Sequence, residues 1–177
     1  MQRTAIASAV LLIVAACVSR TPTPAAEVPE NLKPATNEVM VGAVAARGVQ
    51  IYECRAKKDD PQAMEWAFIA PEAELFNVQG QRVGTHYAGP QWEGIDGSRI
   101  AGSVLARAEA PHAGAIPWLL LSAKSVGADG AFAKVTSVQR INTEGGVAPA
   151  TSDCKTESIG QRARVAYTAD YVMFGTH

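Results

Sequence analysis

The sequence predicts an all-β fold, an antiparallel β-sandwich or barrel of about seven to eight strands. Two observations carry that expectation. The dominant hydrophobic periodicity is two residues rather than 3.6, which is the signature of half-buried strands. Turn signals also punctuate the runs: Asp96-Gly97 and Asp129-Gly130 each stand between strand-like segments, and Gln79-Gly80 closes a further turn.

Taken in order, TNEVMVGAVAARG (residues 36–48) is the one helical candidate. Thr36 or Asn37 would cap it, Glu38 would occupy the first turn, and Gly48 would stop it. In GVQIYEC, Val49, Ile51 and Glu53 alternate with Gln50, Tyr52 and Cys54. MEWAFIA puts Met64, Trp66, Phe68 and Ala70 on one face. RVGTHYA separates Val83, Thr85 and Tyr87 from Arg82, Gly84 and His86. SRIAGSVLA aligns Ile100, Gly102 and Val104, and IPWLLLSAKS is apolar on both faces as far as Leu121, as a strand covered on both sides would be. AFAKVTSVQRIN and RARVAYTADYVMF complete the set, both rich in β-branched or aromatic residues.

The amino terminus is a separate matter. Arg3, an apolar run from Ala5 to Ala16 and small residues before Cys17 form a secretory leader, too short to span a bilayer as a helix. Val14-Ala15-Ala16-Cys17 resembles the lipobox of bacterial lipoproteins, which implies cleavage before Cys17 and its acylation, with palmitate among the expected chains. Several acyl chains would hold the protein at a membrane. Val18 follows where an aspartate would favour inner-membrane retention. In a Gram-negative cell the expectation is therefore the outer membrane, facing the periplasm. Residues 17–35, with repeated prolines and few large apolar residues, read as a flexible tether. Residues 36–177 then form a single globular domain, with the boundary falling between Val28 and Thr36.

The charge is close to neutral, −1 for the whole chain, and there is no basic stripe with interleaved aromatics. Nucleic acid is thereby excluded as an expected partner. Cys17 aside, two cysteines remain, Cys54 and Cys154. An even remainder in an exported chain favours a Cys54–Cys154 disulfide over two separate buried thiols. Neither lies in a CxxC pair, no histidine stands at ligand spacing, and no metal or cofactor is expected.

The densest group of functional residue types is GTHYAGPQWEGIDGS (residues 84–98). His86, with Glu93 or Asp96, could supply a general base and acid if they met at one substrate. The competing reading makes His86 structural and gives Asp96-Gly97 to a turn. Trp92 would be a packed lid or a stacking platform for a flat ligand. Arg140 and Asn142 share a face near the end of a later strand, and a guanidinium there suits a carboxylate. Its competing role is an ion pair with Asp170 or Glu53.

Several stretches act together: GVQIYEC, WAFIAPEAELF, VGTHYAGPQWEGIDGS, IPWLLLSA, VTSVQRINTEGGVAP with the later Cys154, and VAYTADYVMF. As a set, running from Gly48 to Phe174, they resemble the domain-of-unknown-function 3455 family, exported proteins of bacteria and fungi. That resemblance implies a secreted β-rich module and lends no reaction, ligand or catalytic residue.

The functional expectation is a cell-envelope lipoprotein carrying a non-enzymatic binding module for a small or glycan-like ligand, or for another envelope component. His86, Tyr87, Trp92, Arg140 and Asn142 would line its site. The alternatives are a hydrolase or isomerase built on His86 with Glu93 or Asp96, and a structural module without a ligand.

Overall fold

A computed structural model describes residues 27–176. The leader, Cys17 and the first part of the tether lie outside the described residues. Eight strands run in sequence order: β1 (Glu38–Ala56), β2 (Met64–Phe76), β3 (Arg82–Tyr87), β4 (Gln91–Gly94), β5 (Arg99–Ala108), β6 (Trp118–Ser125), β7 (Ser137–Gly145) and β8 (Arg162–Thr176). Each pairs antiparallel with its neighbour, and β8 returns to pair with β1, closing an up-and-down barrel. An eight-stranded barrel has an interior just wide enough to be filled by side chains or to hold one small ligand. This one is filled by side chains at one end and keeps a cavity at the other.

The expected helix over 36–48 is absent. That segment opens β1, the longest strand, which pairs along its length with β8 and over its second half with β2. Val44 and Ala46 face inward while Ala45 and Arg47 face out, a period of two that weak helical spacing does not override. Glu38 caps nothing. Its carboxylate instead accepts hydrogen bonds from the Thr136 and Ser137 hydroxyls and the Ala35 amide, tying the start of β1 to the start of β7.

At one end of the barrel, which contains the β2–β3 and β4–β5 turns, the interior is solid. Val44, Leu75, Ile100, Val138 and Met173 meet there, and Phe132 and Val135 enter from the connection between β6 and β7. Asp129-Gly130 lies in that long connection rather than in a tight hairpin, so β7 begins only at Ser137. Asp96-Gly97 does form a turn. Its aspartate accepts bonds from the Ala131 amide and from the Ser98 amide and hydroxyl, which together hold its carboxyl down at about 2.

β6 is buried on both faces, as its composition predicts. Leu119 and Leu121 belong to the interior; Trp118 and Leu120 face outward under a strap. The strap is a short 3₁₀ turn, Glu30–Leu32, whose Leu32 is fully buried and whose carbonyl accepts from Gln139 Nε2 at 2.7 Å. Val28 and Leu32, assigned by composition to the tether, thus pack against the barrel.

Cys54 and Cys154 form the expected disulfide, with Cα atoms 5.3 Å apart. It fastens the end of β1 to the loop between β7 and β8, at the barrel end opposite the solid core. The outer face carries ion pairs such as Glu72–Arg164, Glu74–Arg82 and Glu53–Arg162. A charged exterior around an apolar interior is the reverse of the membrane-spanning barrel pattern. No helix among the described residues is long and apolar enough to cross a membrane.

Candidate functional site in the barrel interior

β3 and β4 form a tight hairpin in which His86 lies opposite Trp92 and Tyr87 opposite Gln91. Strand alternation then sends His86 and Trp92 into the barrel and Tyr87 and Glu93 out of it. Most of residues 84–94 is therefore strand. Trp92 is neither a lid nor an exposed platform; only 1% of it is exposed, within the barrel wall. Gly102 on β5 makes room for it, since a Cβ there would stand 2.8 Å from the indole.

The His86 imidazole stacks on Trp92, with ring centroids 4.5 Å apart, and Tyr171 of β8 closes the group at 5.0 Å from His86 and 5.4 Å from Trp92. His86 Nδ1 lies 2.8 Å from the Gln91 carbonyl, which can only accept, so Nδ1 carries the proton and Nε2 the lone pair. Burial pushes the His86 pKa down to about 3, against the supporting bond to Gln91, and the positive charge of Arg140 lowers it further. The ring is a neutral acceptor at physiological pH.

Arg140 enters the same space from β7. Nε and Nη2 donate to the Pro117 carbonyl at 3.2 and 2.8 Å, which fixes the guanidinium and leaves its other N–H groups uncommitted to that contact. Among the described residues it has no carboxylate within 4.0 Å. The ion pair expected with Asp170 or Glu53 is not made. Asp170 faces outward and accepts from Asn142 at 2.8 Å, while Glu53 pairs with Arg162. Burial raises the Tyr171 and Tyr52 hydroxyls above the ordinary phenol value, and Arg140 partly offsets this in both.

These residues border a cavity of about 480 Å³ at the end of the barrel away from the solid core. Gln50 and Tyr52 of β1, Pro71 of β2, His86, Trp92, Leu119, Arg140 and Tyr171 make its inner wall. Phe68, Ile69, Gly89, Pro90, Val104 and Arg107 form its mouth. Phe68 is 52% and Val104 54% exposed, so the mouth is open and largely apolar, with the Arg107 guanidinium at its edge. Two residues of the wall carry a fully buried donor, Gln50 Nε2 and Trp92 Nε1, for which the described residues offer no well-formed hydrogen bond. A buried donor without a partner is costly and asks for an explanation.

Of the five residues expected to line a site, the fold brings together His86, Trp92 and Arg140. Tyr87 points outward and donates to Glu93, near Arg99. Asn142 is exposed because an irregularity in β7 between Ile141 and Glu144 breaks the alternation, with Asn142 at φ +50°. Neither Glu93 nor Asp96 joins His86: the first is on the outer face and the second is committed to its turn. Among the described residues no cluster of three or more metal-ligating side chains is present. Gln50, Tyr52 and Tyr171 were not singled out from sequence.

The fold and site define a class: a closed up-and-down β-barrel with a small-molecule-sized cavity in its open end. The chain belongs to the family described as Protein of unknown function (DUF3455), whose model matches residues 34–175. No curated protein and no solved structure matches the chain.

Proposed function

We propose that this domain is a non-enzymatic binding module that takes up a small molecule in the open end of its barrel, carried on an exported, lipid-anchored chain. The observation that supports it is the cavity itself, lined by His86, Trp92, Arg140 and Tyr171. Its volume falls within the range of about 300–1,000 Å³ typical of ligand pockets, and its wall has their composition, mainly apolar with a few fixed polar groups. The side chains of Gln50, His86, Trp92 and Arg140 line a space walled by aromatic rings. A largely apolar mouth gives a ligand a way in.

The test is a thermal-shift screen of the full-length chain against sugars, amino acids, small acids and alcohols. The wild type would run beside Leu119→Trp, which fills the cavity. Stabilisation of the wild type alone supports the reading; no stabilisation by any probe counts against it. Anchoring is tested separately. Cys17→Ser should release the chain from membranes, and unchanged retention would sink the lipoprotein assignment.

A further inference from the structure

The cavity is not chemically neutral. Two guanidiniums border it, Arg140 on the wall and Arg107 at the mouth, and among the described residues no aspartate or glutamate does. The chain as a whole is slightly acidic, at −1, so this concentration of positive charge is local. The six ion pairs between described residues engage neither arginine. Arg140 is aimed by its two bonds to the Pro117 carbonyl. A half-buried guanidinium fixed in position and without a carboxylate partner among the described residues suits an anion beside it.

Resting on the binding function proposed above, we infer that the ligand is a small monocarboxylic acid with a flat or slender apolar body. Its carboxylate would take the remaining N–H groups of Arg140, and a turn of the Gln50 amide, which belongs to the same wall and is only 2% exposed, would bring its N–H to the same anion. A carboxylate has the lone pairs to satisfy both and the charge to balance the guanidinium. The body would lie along Tyr52 and Trp92 towards Phe68 and the mouth, where the wall offers rings and aliphatic carbon. A neutral sugar fits less well. It would leave Arg140 without a counter-charge and bury many hydroxyls against a mostly apolar wall.

The experiment is calorimetric titration of the full-length chain with matched probes: benzoate and octanoate, their uncharged partners benzyl alcohol and octanol, and acetate as a bare anion. The acids should bind at least about tenfold more tightly than the alcohols, since one desolvated charge pair is at stake. Acetate, lacking the body, should bind weakly or not at all. Arg140→Met should bring acid and alcohol to similar affinity. Arg140→Lys, which keeps the charge but loses the fork, should fall between, and circular dichroism would establish that both variants are folded. Equal binding of acids and alcohols to the wild type would overturn the carboxylate assignment and leave the binding function standing. Binding of neither, by a folded wild type that also ignores sugars and amino acids, would overturn both.

Discussion

His86 and Trp92, directly opposite each other across the β3–β4 hairpin, are stacked inside the barrel with their rings 21° from parallel. This pair sets the floor of the cavity and puts an ionisable ring where water is largely excluded. The consequence is a pH dependence whose sign follows from the two states. The unfolded chain protonates His86 below about 6.5, whereas the folded chain resists until about 3. Between those values unfolding takes up a proton, so stability is fully present above about 6.5 and is lost as the pH falls through that window. The loss attributable to His86 is at most about 1.4 kcal/mol per pH unit. Chemical denaturation at pH 7, 5.5 and 4 should show a steeper decline in the wild type than in His86→Phe, which keeps the stacking and lacks the proton site. Parallel curves would mean that His86 is not held neutral.

Gly102 is placed for Trp92. A side chain there would press its first carbon into the indole and stand 3.3 Å from the Ser122 carbonyl. Gly102→Val should therefore lower stability by about 1–3 kcal/mol, the usual cost of forcing extra carbons into a packed interior. Valine is the better strand former, so a propensity argument alone predicts the opposite sign. The melting temperature decides between them. Val104→Ala, two residues along at the exposed mouth, should change it little.

The Cys54–Cys154 disulfide closes a loop spanning a sequence separation of 100 residues. It joins β1, which participates in the barrel's closing seam with β8, to the loop that precedes β8. Loss of such a link typically costs about 2–5 kcal/mol. Cys54→Ser with Cys154→Ser should lower the denaturation midpoint by a corresponding amount, and reduction of the wild type should reproduce most of the change. Equal midpoints for oxidised and reduced protein would show that the seam holds without it.

The all-β class, most of the strands, the doubly buried β6 and the disulfide were legible because each leaves a local trace: alternation, a continuous apolar run, an even cysteine remainder. What was not legible depends on distant parts of the chain. Residues 38–48 carry mixed signals, and pairing with β8 decides them. β4 is only four residues long, bounded by Gly89-Pro90 and Asp96-Gly97, so it offers too few alternations to stand out from a loop. Once it is missed, Trp92 and Glu93 cannot be assigned to opposite faces. Arg140 and Asn142 obey period two on paper, but the break in β7 slips the register between them. The cavity belongs to barrel closure and has no local signature. His86, Trp92 and Arg140 were reached through their chemistry, whereas Gln50 and Tyr171 needed the closed barrel.

Leu32 offers the clearest test of where the folded body begins. It is fully buried against Trp118 and Leu120, although composition places it in a tether. Polar contacts flank it: Asn31 donates to the Arg107 carbonyl at 3.0 Å and Gln139 to the Leu32 carbonyl. Arg107 also borders the cavity mouth, so the strap supports the β5 edge of the site from outside. Leu32→Ala should cost about 2–5 kcal/mol, as for other buried leucines. For a domain of this size that is a fall of several degrees or more in melting temperature. Pro34→Ala, outside the strap's contact with β6, should cost far less. If Leu32→Ala melts with the wild type, the strap is a passive extension of the tether; if it melts early, the β5 edge of the mouth depends on residues that precede the first strand.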